Sequence, residues 1–230
     1  MMLYEFKMHL KRLKIVKAIL KSRTDKGDSV KQDMLQDEGL DLIKSVENTL
    51  IDSNYIFFAD YGTLLGIIRD HAFISWDNDV DYGLLIDETF DWNQFEKHMN
   101  KHGFKKIREF IFQGKVSEQT YSIGSLSVDF FGHFTKGDKT FAHSFFRQED
   151  YIYHSKDEFH VRLSEYVKLT DTKIVDFLGT TVHVPVNSEE YLESIYTKTW
   201  RIPNPKWSDT DYSNRKISVL DELGEGYFFD

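Results

Sequence analysis

Three aspartates that alternate along the chain constrain this sequence more than any other feature. Asp77, Asp79 and Asp81 stand in the segment Trp76-Asp77-Asn78-Asp79-Val80-Asp81. On a β-strand their side chains would share one face, with neighbours roughly 6–7 Å apart. Carboxylates this close repel one another, and a divalent cation such as Mg²⁺ removes the repulsion. The spacing indicates phosphate chemistry on a bound metal, and a solvated acidic loop is the plainer alternative.

A calcium loop is a second interpretation of the same acidic run. Asp77, Asp79, Asp81 and Glu88 fall at positions 1, 3, 5 and 12 of an EF-hand-like loop. The sixth position of such a loop requires Gly for its sharp turn, and Tyr82 occupies it here. No helical periodicity flanks the run. We therefore favour Mg²⁺ or Mn²⁺ over a calcium-binding, non-enzymatic module.

A strand–turn–helix pattern precedes the aspartates. The apolar residues 55–59 lead into Asp60-Tyr61-Gly62-Thr63, and the apolar residues 64–68 follow. Gly62 lets a ligand approach the backbone, and a helix beginning near Thr63 would offer unpaired N–H groups and a hydroxyl. Such a corner suits a phosphate group, whereas an ordinary capped helix is the alternative.

At these residues the chain resembles the LicD/fukutin-related family of the nucleotidyltransferase superfamily. Residues 62–69 match the family's GTLLG-x-x-R segment, and residues 76–81 match its W-D-x-D-x-D segment. The family's later VD-aromatic strand and VP-x-x-x-EEYL segment correspond to residues 127–131 and 184–192. The resemblance extends over roughly residues 36–207.

The family resemblance implies a transferase that moves a phosphorylated alcohol from a CDP-linked donor to a glycan hydroxyl. Phosphocholine, ribitol phosphate and glycerol phosphate are the candidate groups, and capsule, teichoic acid and lipopolysaccharide are the candidate products. The chain departs from the family at Asn78, where many relatives carry Asp, and at Thr197, where they carry Gly. We expect the first departure to do little harm, and the second puts only a local turn in doubt.

The resemblance also implies roles for individual residues. Asp79 and Asp81 are expected to bind metal, and Asp77 is expected to assist them from the same face. The third carboxylate of the superfamily lies on a neighbouring strand, and Asp129 is the best candidate, either as a metal ligand or as a general base. Gly62, Thr63 and Asp77 are expected to contribute to substrate binding. Arg69 either reaches a donor phosphate or complements the negative end of its helix.

Two other enzyme classes remain as alternatives. A metal-dependent glycosyltransferase would use Asp79-Val80-Asp81 as a DxD motif for a nucleotide-sugar, but it leaves the Gly-Thr corner unexplained. A nucleotidyltransferase would keep the fold and transfer the whole nucleotide. The released product separates the three, because phospho-alcohol transfer gives CMP, nucleotidyl transfer gives pyrophosphate, and many sugar transfers give UDP or GDP.

The order of predicted elements indicates an α/β (α+β) fold, with a nucleotidyltransferase-like mixed β-sheet flanked by helices. Helices are predicted over residues 31–50, 90–102 and 188–196. Strands are predicted over residues 55–59, 104–112, 121–127, 128–134, 141–146, 173–177 and 180–186, with a hairpin turn at Gly137-Asp138. Beyond Tyr151 the alternation becomes irregular.

The first 26 residues form a basic segment with eight Lys or Arg and two acidic residues. Its apolar residues recur at helical spacing, so we expect residues 1–30 to form an amphipathic helical extension of a catalytic domain over residues 31–230. Such a helix either lies on an anionic membrane surface or packs on the domain with solvated lysines.

Composition narrows the classes of partner and compartment. A net charge of −9 argues against general nucleic-acid binding. The chain has no Cys, which excludes disulfides and suits a reducing compartment. It also has no apolar run of membrane-spanning length and no signal-peptide core. We therefore expect a cytoplasmic protein, with peripheral contact at the inner face of the membrane as the alternative that residues 1–26 leave open.

Overall fold

The computed structural model describes residues 14–207 and 215–230, with side chains of the first helix from residue 29 onward. That helix, α1, runs from Lys14 to Leu50 without a break, so the helix predicted over residues 31–50 is confirmed and begins earlier. The amphipathic stripe predicted within residues 1–30 lies outside the described side chains. The boundary at residue 30 therefore stays a prediction.

Helix α1 contacts the domain through a buried apolar stripe. The residues of this stripe are Leu35, Leu42, Ile43, Val46 and Leu50. Their spacing of three, four or seven residues places them on one side of a helix, and each such side chain contributes roughly 1.5–3 kcal/mol when fully buried. The stripe faces strands β5 (Leu126–Lys136) and β9 (Thr180–Pro185). Helix α1 therefore covers one face of the sheet.

Three shorter helices and a π-helical turn complete the helical elements of the described residues: α2 Tyr61–Leu65, the π-helical turn Gly66–Asp70, α3 Trp92–Lys101 and α4 Ser188–Tyr196. The remaining strands are β1 Ile56–Ala59, β2 Val80–Ile86, β3 Lys105–Phe112, β4 Lys115–Ile123, β6 Lys139–Phe146, β7 Glu158–Val167, β8 Thr172–Phe177 and β10 Ile217–Phe228. Within the described ranges, no helix has the length and apolar character needed to cross a bilayer.

Eight strands form one mixed sheet in the order β1-β2-β5-β4-β3-β10-β7-β6. Strands β2 and β5 pair in parallel, and the other pairs are antiparallel. Strand β5 also pairs with β6, so the hydrogen bonding returns on itself through β5, β4, β3, β10, β7 and β6. These six strands form a closed ring, and β8 and β9 form a separate hairpin.

The sequence predicted most of these elements. The mixed sheet flanked by helices is confirmed, as are α4 over residues 188–196 and α3 with its cap at Asp91, which accepts the N–H of Asn93 at 2.8 Å. The strand boundary predicted at residue 127 is wrong, because the chain turns earlier at Gly124, whose φ is 61°. Strands β7 and β10 were missed.

Candidate active site

The corner between β1 and α2 is organised by a buried aspartate. Asp60 caps the helix by accepting the backbone N–H of Tyr61 at 2.8 Å, and the same carboxylate oxygen accepts the Tyr191 hydroxyl at 2.8 Å. Its second oxygen lies 2.6 Å from Nε2 of His133. Both Asp60 and His133 are fully buried. His133 is therefore part of the support beneath the site, and helix α4 is fixed to the corner through Tyr191.

Gly62 makes room for a carboxylate. A Cβ atom at position 62 would lie 2.2 Å from Oδ2 of Asp77, which is far inside van der Waals contact. The preceding residue, Tyr61, starts the helix with a φ of 38°, a left-handed conformation that non-glycine residues seldom adopt. The helix thus begins before Thr63, and Gly62 brings the backbone close to Asp77.

Thr63 positions Asp81, the third aspartate of the W-D-x-D-x-D motif. Its hydroxyl oxygen accepts the backbone N–H of Asp81 at 2.9 Å, and the side chain is buried. Gly62 lines the cavity described below, whereas Thr63 lies behind its wall. The structure therefore links Thr63 to the carboxylates, and donor binding by Thr63 itself stays a prediction.

Three carboxylates converge at the edge where β2 and β5 run in parallel. Asp81 and Asp129 are direct partners on the two strands, and Asp79 precedes β2. One oxygen from each of the three lies within 4.8 Å of the others. The prediction that Asp77, Asp79 and Asp81 share a strand face is wrong, because β2 begins only at Val80. The cluster is assembled by a loop and two strands.

Two carboxylates of this cluster, those of Asp79 and Asp81, resist ionisation without a cation. Burial, and then the charge of Asp77, raises the pKa of Asp79 to about 8. Burial raises the pKa of Asp81 well above its usual range, with further increases from Asp79 and Asp129. Burial also raises the pKa of Asp77. Protein atoms crowd the carboxylate of Asp79, but its side chain keeps a solvent-exposed surface, so water screens part of the repulsion there; Asp81 is buried. Bound positive charge would favour the ionised forms.

The cluster fits a hard divalent cation. Its donors are carboxylate oxygens, the ligands preferred by Mg²⁺ and Mn²⁺. The residues that would hold such an ion are Asp79, Asp81 and Asp129. Asp77 lies outside this trio. The EF-hand alternative is contradicted, because the middle of the proposed loop forms strand β2 and Glu88 does not join the cluster.

An arginine that the sequence analysis missed is bound to Asp129. Nη2 of Arg108 lies 2.8 Å from Oδ1 of Asp129 and 3.5 Å from Oε1 of Glu118. Nε of Arg108 donates to the Thr120 hydroxyl at 2.9 Å, and that hydroxyl also donates to Asp129. Burial, and then Asp129, raises the pKa of Glu118 to about 8. A single Arg in a strand carries no local signal, so only the sheet register reveals it.

A cavity of about 550 Å³ opens over the cluster. Its wall includes the carboxylates, Gly62 and Arg108, and continues onto residues of β6 and β7 such as Ser144 and Arg162. Aromatic side chains complete it, and Trp76 and Trp207 are each 39 % exposed. The volume is that of a small-molecule site.

Arg69 also lines the cavity, but its guanidinium is already paired. Nε and Nη2 donate to the two carboxylate oxygens of Asp70 at 2.8 and 2.6 Å. Nη1 lies 3.4 Å from the carbonyl oxygen of Trp200. The structure thus gives Arg69 a local acidic partner, and a direct contact with the donor stays a prediction.

Comparison with known proteins gives the same assignment as the motifs. Residues 54–187 match the family model described as LicD/FKTN/FKRP, nucleotidyltransferase domain. The mouse (Mus musculus) ribitol-5-phosphate transferase FKTN is 26% identical over 208 residues, which is 85% of this chain and 40% of that protein. The human (Homo sapiens) ribitol-5-phosphate transferase FKTN is 26% identical over 179 residues, 73% of this chain and 34% of that protein.

This chain spans less than half the length of either relative. The family match includes all three carboxylates of the cluster, and the chain belongs to the LicD/FKTN/FKRP nucleotidyltransferase-domain family.

Proposed function

We propose that this chain is a metal-dependent transferase that moves a phospho-alcohol from a CDP-linked donor to a glycan hydroxyl. The observation that carries the proposal is the convergence of Asp79, Asp81 and Asp129 within 4.8 Å at one end of the cavity. The names of the relatives favour ribitol phosphate as the transferred group. Phosphocholine and glycerol phosphate are the alternatives, and capsule, teichoic acid and lipopolysaccharide are the candidate end products.

The three aspartates supply the ligands for Mg²⁺ or Mn²⁺, which when bound neutralises the phosphate oxygens and stabilises charge on the leaving group. We assign Asp129 to metal binding rather than to general-base catalysis, because its oxygen lies with those of Asp79 and Asp81. Thr63 holds the backbone of Asp81, and Asp60 holds the helix that carries Thr63. Asp77 shares a side-chain hydrogen bond with Asp79 in the loop before β2.

The rest of the cavity supplies recognition. Trp76 and Trp207 present partly exposed rings to it, and such rings can stack on a nucleobase or a sugar. Gly62 lines the cavity, and its missing side chain leaves room for the carboxylate of Asp77. The side chains of β6 and β7 line a part of the cavity wall that carries none of the three carboxylates. We place the acceptor glycan on that wall.

The decisive experiment identifies the released product. The protein is incubated with Mg²⁺, an acceptor glycan and CDP-ribitol, CDP-choline or CDP-glycerol, and CMP is measured. Release of CMP with one donor supports the proposal. Release of pyrophosphate from CTP would indicate nucleotidyl transfer, and release of UDP or GDP from a nucleotide-sugar would indicate the glycosyltransferase alternative.

Binding can be tested without an acceptor. A ligand of the native state raises the unfolding midpoint by mass action. We expect one CDP-alcohol to raise it in the presence of Mg²⁺, and we expect Asp79→Asn, Asp81→Asn and Asp129→Asn each to abolish that rise. Glu88→Gln is the matched control, because Glu88 belongs only to the rejected calcium loop. A loss of metal response in Glu88→Gln together with a normal response in the Asn variants would contradict the proposed site.

The activity of the Asn variants follows from the same assignment. Replacing an outer partner of a metal ligand commonly costs 10–100-fold, so loss of a ligand is expected to lower CMP release by at least about 100-fold. Full activity in any one variant would remove that residue from the catalytic set.

We also propose a cytoplasmic site of action, with residues 1–26 in contact with anionic membrane. The absence of Cys and the basic charge of this segment support it. The test compares salt-sensitive binding of the full chain and of a variant lacking residues 1–26 to phosphatidylserine vesicles. Equal binding by both would refute the membrane contact.

A further inference from the structure

We propose that Arg108 forms an oxyanion subsite beside the metal cluster and binds the non-bridging phosphate oxygens of the donor. This subsite rests on the proposed function for the identity of the donor. The subsite goes beyond the proposed function, because it assigns the phosphate contact to a strand residue outside the GTLLG segment.

The sheet register places Arg108 in one row with two of the metal ligands. Asp81 pairs with Asp129, Asp129 with Thr120, and Thr120 with Arg108 across four adjacent strands. Direct cross-strand partners point to the same face of a sheet. The row therefore runs from the cluster to Arg108, and the long arginine side chain reaches back past Thr120 to Asp129.

The distance from Arg108 to the cluster fits a shared phosphate. Two oxygens bound to adjacent positions of one octahedral Mg²⁺ lie about 3 Å apart, because each lies about 2.1 Å from the ion. If Oδ1 of Asp129 bound such an ion, a substrate oxygen at the adjacent position would lie within about 6 Å of Nη2 of Arg108, which is 2.8 Å from Oδ1. A phosphoryl group with several oxygens can bridge that distance. The metal and the guanidinium can therefore bind the same phosphoryl group.

The local contacts hold the guanidinium in place and leave donors for a ligand. Nε is fixed by Thr120, and Nη2 lies between Asp129 and Glu118. Nη1 makes no hydrogen bond to the residues that the structure describes, and the side chain lines the cavity with 32% of its surface exposed. Arginine binds phosphate through its planar fork, so a fixed guanidinium with a remaining N–H edge is well suited to this role.

Arg69, the arginine of the GTLLG-x-x-R segment, is less suited. Its Nε and Nη2 are bound to Asp70, and its side chain is 7% exposed. Binding a phosphate there would require breaking a bidentate ion pair. At Arg108 the Nη1 edge is left over for a ligand without breaking the contacts of Nε and Nη2. A cation held by Asp129 would also compete for the charge of that carboxylate and so weaken the ion pair.

The test uses Mg²⁺ with inorganic pyrophosphate as a probe, and CDP-ribitol as a second ligand. Arg108→Gln keeps hydrogen-bonding capacity without the charge, Arg108→Lys keeps the charge without the fork, and Arg201→Gln removes an exposed arginine outside the cavity wall. We expect Arg108→Gln to weaken binding of Mg²⁺-pyrophosphate and of Mg²⁺-CDP-ribitol by at least about 10-fold, with an intermediate loss in Arg108→Lys. Arg201→Gln is expected to match the unsubstituted protein.

Binding of Mg²⁺ alone distinguishes a phosphate contact from a merely structural ion pair. Removing the guanidinium also removes a competitor for Asp129, so Mg²⁺ affinity in Arg108→Gln is expected to be equal or higher. A loss of Mg²⁺ affinity with unchanged pyrophosphate affinity at saturating Mg²⁺ would overturn the subsite, as would absence of pyrophosphate binding by the unsubstituted protein. Pyrophosphate binding that depends on Arg108, without any response to CDP-alcohols, would keep the subsite and contradict the proposed donor.

Discussion

The Thr63 hydroxyl accepts the backbone N–H of Asp81 at 2.9 Å, and this bond joins the GTLLG segment to the carboxylate motif. Asp81 then faces Asp129 on the parallel strand. The two motifs are separated in sequence but form one structural unit. The threonine thus sets the position of Asp81, a proposed metal ligand, from behind the cavity wall.

Thr63→Val is expected to weaken both the fold and the site. It keeps the shape of the side chain but leaves the N–H of Asp81 without an acceptor, and an unsatisfied buried donor costs roughly 1–3 kcal/mol. Denaturant unfolding should show that loss, and Mg²⁺ titration should show weaker binding. Thr63→Ser restores the hydroxyl, so it should recover most of both. Equal stability and metal affinity in Thr63→Val would contradict the role of this bond.

Asp81→Asn is expected to change stability in opposite directions with and without metal. In EDTA it removes a buried carboxylate that Asp79 and Asp129 repel. The unfolding midpoint should therefore rise, by roughly 2–4 °C for each kcal/mol of repulsion removed. In saturating Mg²⁺ the substitution removes a ligand, so the metal-induced rise should disappear. A lower midpoint in EDTA would show that Asp81 stabilises the metal-free fold.

The metal-free protein is expected to lose stability as pH rises from about 4.5 to about 8. Glu118 has a native pKa of about 8, so the native state holds a proton that the unfolded state has already released. Each such group contributes a slope of about 1.4 kcal/mol per pH unit inside that window. Urea unfolding in EDTA measures the slope, and Glu118→Gln should reduce it.

Saturating Mg²⁺ should flatten the same pH profile. Asp79 and Asp81 must ionise to bind the cation, so binding releases protons and tightens as pH rises. If the free energy of unfolding in EDTA instead increased between pH 5 and pH 8, the raised pKa values of Asp79 and Glu118 would be contradicted.

Gly62→Ala is expected to disturb the site through Asp77. The added Cβ would meet Oδ2 of Asp77 at 2.2 Å, so the carboxylate must move. Lower stability and weaker metal binding should follow, measured by thermal unfolding and Mg²⁺ titration. In an Asp77→Ala background the obstruction is gone, and Gly62→Ala should cost much less. If the losses of stability from Gly62→Ala and Asp77→Ala were additive, the added Cβ would not act through Asp77.

The sequence predicted those elements whose local pattern is complete. Helix α4 has Glu189 and Glu190 in its first turn and an apolar face, and its observed range is the predicted one. Asp129 was identified through the family resemblance and is indeed the strand partner of Asp81. A helix such as α4 can be predicted from the local sequence, because its capping residues and apolar periodicity lie within the one element.

The sequence did not predict strands whose buried face carries polar residues that line the cavity. Strand β7 carries Arg162, Ser164 and Tyr166 on its buried face, so the usual alternation of apolar and polar residues is lost. The position of Arg108 at the site follows only from the strand pairing. Arg108 pairs with Thr120 on β4, and Thr120 pairs with Asp129 on β5. Tertiary pairing, and no feature of the local sequence, brings these residues to the site.

The closed ring of strands has a consequence for how the chain reaches its native state. Strand β10 lies between β3 and β7, with Phe228 opposite Arg108, although it follows both in the sequence. During synthesis, the hydrogen-bonding edges of β3 and β7 stay open until β10 has left the ribosome, and open edges favour aggregation. Pairing across so long a stretch of chain is slow. Expression of a truncated form that ends near residue 187, where the family match ends, should therefore yield insoluble protein whose cavity wall is incomplete.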